Sequence, residues 1–182
     1  MSEGDSFKPQ EKWPLRSPLD VYKAISPYTQ GKRVCDLGCG KGDILAYLKA
    51  NGYCSEIFGI ELRANRLPEG RPYVKQGNYL TAPIPEADVY LLWAADESDH
   101  GGVWEDIGTL VNRLPHGALM IDLTSHPEAH GRHRIRCEEL GMEFVALKSY
   151  EYSEKEFLIL DWVPACLQSN EGTRNCAIYK LK

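Results

Sequence analysis

The sequence predicts an α/β fold: a doubly wound, mostly parallel sheet flanked by helices, with an antiparallel edge at the C-terminal end. Two observations lead to this prediction. Short apolar segments typical of buried strands alternate with helical segments over residues 33–140. The last strand-like segments, at 143–150, 156–162 and 175–181, then follow one another with no helical segment between them, which is typical of antiparallel pairing.

The predicted elements follow the apolar spacing along the chain. Ser17 or Asp20 is suited to cap a first helix that extends to about residue 25. Strands are predicted at 33–37, 57–60, within 71–79, at 88–93 and at 117–123. Helices are predicted at 43–50, 103–114 and 127–140.

Three of these strands end in residues that suit a binding site. Asp36, Glu61 and Trp93 close the first, second and fourth strands. Open α/β sheets bind ligands at the carboxyl ends of their strands, near the point where the strand order reverses. We therefore expect the functional site at this edge of the sheet.

The composition is that of a globular protein and disfavours several classes. Of 182 residues, 43% are hydrophobic and 26% are charged, with a net charge of −5. A disordered chain would have fewer apolar residues, and a duplex-binding protein is usually basic. The sequence contains no apolar run of about 18 residues, and residues 1–10 lack the apolar core of a secretory signal, so we expect a cytoplasmic protein without a membrane span.

We expect an N-terminal arm at 1–16 followed by one domain at 17–182. Trp13 in the arm is predicted either to cover the functional site as a lid or to act as a hydrophobic staple for the first helix. A single domain of this length leaves little room for separate substrate recognition. Loops, the arm or a partner protein would then select the substrate.

The six cysteines also favour an intracellular location. They are scattered and form no C-x-x-C pair. We therefore predict reduced thiols acting as small apolar residues rather than a disulfide framework. A bridge between Cys166 and Cys176 is the alternative.

A glycine-rich turn joins the first predicted strand to the helix at 43–50. Gly38, Gly40 and Gly42 occupy alternate positions in this turn. Glycine allows positive φ and lets a ligand approach the backbone closely, and the following helix directs its N–H groups toward that ligand. Glu61, at the end of the next strand, could accept hydrogen bonds from both hydroxyls of a ribose.

Two details of the turn indicate the charge of its ligand. A dinucleotide site favours G-x-G-x-x-G beneath a pyrophosphate, whereas Asp43 follows Gly42 here. Asp36 precedes the first glycine by two positions, and the two carboxylates flanking the turn, Asp36 and Asp43, would repel a pyrophosphate. The pattern favours a ligand with an ammonium and a sulfonium, and it disfavours a dinucleotide-dependent oxidoreductase.

The segment 34–42, Val-Cys-Asp-Leu-Gly-Cys-Gly-Lys-Gly, resembles the first motif of the class I S-adenosylmethionine-dependent methyltransferases. The resemblance extends in order and spacing from about residue 31 to residue 123. It implies a methyltransferase with S-adenosylmethionine as its cofactor. It also implies that the cofactor contacts the residues at the matching positions, namely Asp36, Gly38, Cys39, Gly40, Gly42, Asp43, Glu61, Leu62, Asn78, Tyr79 and Trp93.

The resemblance also implies a role for several of these positions. The glycine turn would pass under the methionine portion of the cofactor, and Glu61 would hold its ribose. Leu62 would pack near the adenine. Asn78 stands where the family commonly has an acidic residue that binds the adenine amino group.

The methyl acceptor is expected to bind beside residues 93–100, after the fourth strand. This segment lacks the Pro-Pro-aromatic motif with which the family's nucleic-acid enzymes methylate amino groups. Its carboxylates, at Asp96, Glu97 and Asp99, could attract a cationic amine. His100 could take a proton near neutral pH. The sequence therefore favours an amine acceptor, either a protein lysine or a small molecule. The candidate catalytic residues are Asp96 and His100, and the candidate substrate-binding residues are Trp13, Trp93, Asp96 and His100.

A histidine-rich segment gives the remaining alternatives. His126, His130, His133 and Cys137 have a helical spacing that zinc ligands can adopt. Arginines interleave with them, so we predict a polar or basic helix surface and no metal. If exposed, that surface would favour an RNA acceptor. A non-catalytic cofactor-binding or scaffold module of the same fold is the other alternative.

Overall fold

The structure is a computed structural model that describes residues 19–63, 71–92, 106–123, 127–152 and 172–182. Within these ranges the helices are α1 Leu19–Thr29, α2 Asp43–Ala50, α3 Ile107–Val111 and α4 Pro127–Glu139. The strands are β1 Arg33–Leu37, β2 Glu56–Glu61, β3 Val74–Gln76, β4 Val89–Leu92, β5 Leu119–Asp122, β6 Glu143–Tyr152 and β7 Gly172–Lys180.

The strands form one seven-stranded sheet in the order β3-β2-β1-β4-β5-β7-β6. Strands β1 to β5 pair in parallel, and β7 pairs antiparallel with both β5 and β6. The predicted fold class is therefore confirmed, including its antiparallel C-terminal edge. The strand order reverses between β1 and β4, which places the expected binding edge at their carboxyl ends. The strand predicted at 156–162 lies outside the described residues.

The two faces of the sheet carry separate apolar cores. On one face, Ile25 of α1 and Leu45 and Leu48 of α2 pack over Val34 and Leu91. On the other face, α3 and α4 pack over the remaining alternate side chains of the same strands. A sheet buried on both faces explains why its central strands have continuous apolar sequences. None of the helices in the described ranges has the length and apolar character needed to cross a lipid bilayer.

Helix α1 extends four residues beyond its predicted end and contains Pro27. Proline lacks the N–H that would donate to the carbonyl of Lys23. The hydroxyl of Ser26 donates to that carbonyl at 2.9 Å, so the acceptor stays satisfied and the helix continues.

Helix α3 ends three residues before its predicted end at 114. The amides of Arg113 and Leu114 donate to carbonyls three residues back, at Leu110 and Val111. Pro115 disfavours helical backbone in the residue before it, which explains the early end.

Candidate functional site

The glycine turn joins β1 to α2 at the carboxyl edge of the sheet. Gly38, Gly40 and Gly42 have φ values of 89°, 57° and 72°, in the left-handed region that glycine adopts without a steric penalty. The amides of Gly38 and Cys39 both donate to the carbonyl of Ile60, at 2.8 Å and 3.1 Å. The turn, which follows β1 in the chain, is therefore also hydrogen-bonded to β2.

The glycines of this turn meet different surroundings. A Cβ at Gly42 would lie 2.6 Å from Cγ2 of Val74 and 3.0 Å from Cε2 of Tyr73, so this position permits close packing of α2 on β3. A Cβ at Gly38 would meet nothing within 4 Å. Gly38 thus presents open backbone at the strand end, where a ligand could approach.

Glu61 links the end of β2 to the glycine turn. Its side chain is buried, and its Oε2 accepts a hydrogen bond from the amide of Gly40 at 2.8 Å. Its Oε1 accepts from the amide of Arg63 at 2.9 Å. A carboxylate offers about four acceptor sites, so two remain for other donors.

Asp36 lies on β1, between Gly59 of β2 and Leu91 of β4 in the strand register. It is fully buried, and no donor among the described residues reaches either of its carboxylate oxygens. Burial, and to a smaller extent the charge of Glu61, raises the pKa of Asp36 to about 8. A buried ionised carboxylate is costly without a partner. The surroundings of Asp36 therefore favour a ligand with positive charge, which is the kind of ligand that the sequence predicts.

The other predicted cofactor contacts surround the ends of β2 and β3. Leu62 is 61% exposed directly after β2. Asn78 is exposed after β3, and its Oδ1 accepts from the amide of Leu80 at 2.9 Å. Tyr79 is partly buried against the core, and burial raises its pKa to about 12. Its carbonyl accepts a hydrogen bond from the guanidinium of Arg113.

The structure leaves the predicted acceptor site undescribed. Trp13, Trp93, Asp96 and His100 lie outside the described residues, as do Glu97 and Asp99. Asp43 begins α2, directly after the glycine turn. The assignments of these residues remain predictions.

The described cysteines are buried free thiols, as predicted, and Cys176 is one of them. Burial is the main cause that raises the pKa of each. Thiols in this state are poor nucleophiles, because the thiolate is the reactive form. Cys39 in the glycine turn accordingly contributes packing rather than chemistry.

A buried carboxylate–imidazole pair, which we did not anticipate from the sequence, lies at the end of β5. Oδ2 of Asp122 is 2.8 Å from Nδ1 of His133, and both side chains are almost completely buried. The sequence feature that could have indicated this pair is the position of Asp122 at the end of a strand, at the same edge of the sheet as Asp36 and Glu61. Its partner comes from the middle of α4.

This pair changes the interpretation of the histidine-rich segment. His133 faces the core rather than a helix surface, and Cys137 is buried as well. No group of side chains in the described ranges could hold a metal ion. Of the exposed arginines, Arg134 pairs with Glu138 at 2.8 Å and Arg136 with Glu139 at 3.0 Å. These pairs reduce the basic character of α4 and weaken the case for an RNA-binding face.

A cavity of about 690 Å³ opens at the opposite edge of the sheet, where the strands begin. Its charged lining includes Arg33, which contacts Asp88 at 3.2 Å and Glu86 at 3.4 Å. These charges are already paired, and the cavity lies far from the glycine turn. We place the candidate functional site at the carboxyl edge, because the open backbone of Gly38 and a carboxylate with no donor among the described residues are there.

Comparisons with known proteins found matches among solved structures only, since no protein-family model and no curated protein matches the chain. A SAM-dependent methyltransferase from Archaeoglobus fulgidus is similar, with a TM-score of 0.55 and 18% identity over 89% of this chain and 93% of that chain. A proposed RNA methyltransferase from Pyrococcus horikoshii has a TM-score of 0.61 and 15% identity over 89% of this chain and 81% of that chain. A complex between the Haloferax volcanii Trm112 methyltransferase activator and a proposed methyltransferase has a TM-score of 0.59 and 15% identity over 89% of this chain and 91% of that chain.

At these identities the likeness is one of fold. The sheet has the same mixed seven-stranded form, with an antiparallel edge, and it carries the glycine turn after β1. The chain therefore has the fold of the class I S-adenosylmethionine-dependent methyltransferases.

Proposed function

We propose that the protein is an S-adenosylmethionine-dependent methyltransferase that binds its cofactor across the carboxyl ends of β1 and β2. One observation carries the proposal: the Glu61 carboxylate is bound to the Gly40 amide at 2.8 Å, inside a turn of positive-φ glycines. This contact brings a carboxylate that could accept hydrogen bonds from ribose hydroxyls beside the glycine turn, which supports the proposal. The fold of the solved relatives supports the same assignment.

The residues present fit this cofactor in charge. S-adenosylmethionine supplies an electrophilic methyl group on a sulfonium, and it also carries an ammonium. Asp36 has two buried oxygens without donors among the described residues, which suits a cationic ligand. A pyrophosphate would instead meet two carboxylates, which disfavours a dinucleotide.

Each residue then has a distinct task. The free acceptor sites of Glu61 would take the ribose hydroxyls, and Gly38 would let the methionine portion lie against the backbone. Exposed Leu62 would cover one side of the adenine. Holding the ligand in one orientation and excluding water would supply much of the acceleration.

For the acceptor we propose a site beside residues 93–100, which follow β4 in the sequence, with Asp96 and His100 in contact with the acceptor. The acidic composition of this segment is the support for an amine acceptor. RNA is the alternative acceptor, because the similar structure from Pyrococcus horikoshii is a proposed RNA methyltransferase. Because the Haloferax volcanii complex contains a methyltransferase activator, we also propose that this chain acts with an activating partner protein.

Calorimetric titration with S-adenosylmethionine and S-adenosylhomocysteine tests the cofactor assignment. We expect Glu61→Gln to weaken binding at least about tenfold, because a charge-assisted hydrogen bond to the ribose is lost. Glu56→Gln is the matched control, since Glu56 is exposed at the other end of the same strand. Failure of the unmodified protein to bind either ligand would overturn the proposal, and preferential binding of a nicotinamide dinucleotide would replace it.

Transfer of labelled methyl groups to protein, RNA and small-molecule fractions tests the acceptor. We expect Asp96→Asn and His100→Ala to reduce transfer while leaving the affinity for S-adenosylhomocysteine within about twofold. Tight cofactor binding without transfer to any fraction, with or without a Trm112-type activator, would instead support a non-catalytic module.

A further inference from the structure

Two carboxyl groups share the glycine-turn site, and their surroundings differ. Glu61 is bound by the amides of Gly40 and Arg63, and donors of this kind stabilise an ionised carboxylate. Asp36 is 0% exposed and has no donor among the described residues. Asp36 is therefore the carboxyl group whose ionisation receives no compensation from the described chain.

No positive charge of the described chain offsets Asp36. On β2 the charged group that acts on it is Glu61, which is also negative. The thiol of Cys39 in the turn and the thiol of Cys35 on β1 both have raised pKa values, so both stay neutral. On the flanking strands its register neighbours are Gly59 and Leu91, which carry no charge.

We propose that the cofactor-free protein holds a proton on Asp36 and that a ligand bringing positive charge to the glycine turn expels this proton to solvent. The step balances as a neutral carboxyl group plus a cationic ligand giving a carboxylate–cation pair plus a free proton. Asp36 is thus a specificity-determining residue that selects cationic ligands. The inference rests on the proposed function, which supplies the ligand.

The proposal does not require direct contact between Asp36 and the ligand. An opposite charge within about 4–6 Å stabilises an ionised carboxylate, and screening is weak in a buried site. Gly38 lies two residues from Asp36 and presents open backbone to a ligand. Burial of Asp36 is therefore compatible with electrostatic coupling across the turn.

Calorimetry of the full chain at about pH 6.5, in buffers of different ionisation enthalpy, counts the protons released on binding. We expect the unmodified protein to release about one more proton than Asp36→Asn. The amino group of the ligand titrates equally in both, so the difference counts the proton of Asp36. Asp88→Asn, at the other edge of the sheet, is the matched control and should behave as the unmodified protein does.

Titrations with S-adenosylmethionine and with S-adenosylhomocysteine show which positive charge of the ligand causes the proton release. Release with both S-adenosylmethionine and S-adenosylhomocysteine assigns it to the ammonium, and release with S-adenosylmethionine alone assigns it to the sulfonium. Both outcomes support the proposal. Binding without proton release, or equal release by Asp36→Asn, overturns it while leaving the cofactor assignment intact.

A carbon-13 NMR titration of the side-chain carboxyl groups in the cofactor-free protein provides a test that needs no ligand. The resonance absent from Asp36→Asn should titrate several pH units above an exposed aspartate. Titration of that resonance near pH 4 overturns the proposal even if no cofactor binds. The assignment can use selective labelling if the variant does not fold.

Discussion

The carboxyl edge of the sheet carries two aspartates that are equally buried but differently bound. Asp36 is the penultimate residue of β1 and lies on the sheet face covered by α2. Asp122 is the last residue of β5 and lies on the face covered by α4. Both are 0% exposed. Asp122 pairs with His133 at 2.8 Å, whereas Asp36 has no donor in the described part of the chain.

This difference separates an acid that supports the fold from one that supports a site. A buried acid that is hydrogen-bonded to a fixed partner holds two elements together, here β5 and α4. A buried acid without a partner destabilises the fold when it is ionised. Such a residue persists most readily where a ligand stabilises its charge. This difference favours the β1 end of the edge as the place of the proposed cationic ligand.

The largest expected effect is on the paired acid. Asp122→Ala should lower the free energy of unfolding by about 3 kcal/mol, because His133 stays buried without its acceptor. Urea denaturation measures the change. Asp106→Ala is the control, since Asp106 is exposed and makes no side-chain capping bond to α3. A loss below about 1 kcal/mol would show that the pair does not hold β5 to α4.

A smaller and opposite effect is expected at Asp36. Its pKa is about 8 in the folded protein against 3.8 ordinarily, so the folded state binds the proton more tightly. The associated stability is complete below about pH 4 and is lost as the pH rises to about 8. Asp36→Asn cannot ionise, so at about pH 9 it should exceed the unmodified protein by about 2 kcal/mol in the free energy of unfolding once the cost of the buried amide is included.

Thermal and urea unfolding of both proteins between about pH 5 and pH 9 measure this effect. If the unmodified protein and Asp36→Asn show parallel curves of stability against pH, the inferred difference between Asp36 and Asp122 is wrong. Saturating S-adenosylmethionine should flatten the decline of the unmodified protein, because the ligand offsets the ionised carboxylate.

The smallest effect is expected at the amino edge of the sheet. Asp88 accepts from the Arg33 amide at 2.8 Å, and its contacts with Arg33 lower the pKa of Asp88. This side chain is partly exposed, so solvent screens much of its interaction. Asp88→Ala should cost about 1 kcal/mol in the free energy of unfolding and leave cofactor affinity unchanged. A change in that affinity would contradict the assignment of the site to the carboxyl edge.

The sequence by itself determined the order of the elements and the edge of the sheet at which the glycine turn and Glu61 lie. Apolar spacing distinguishes strands from helices locally, and the right-handed connection of parallel strands restricts the topology. The glycine turn and Glu61 were predictable for the same reason, because each lies at the end of a recognisable strand. The continuation of α1 through Pro27 depended on a single hydroxyl contact that spacing does not reveal.

Only the tertiary structure decided how each acid is bound. Asp36, Glu61 and Asp122 are alike in sequence as carboxylates at or next to the carboxyl ends of strands. Glu61 meets an amide 21 residues away and Asp122 meets an imidazole 11 residues away, whereas Asp36 meets no donor in the described part of the chain. Burial and partners arise where separate elements pack together. Local sequence patterns do not contain that information.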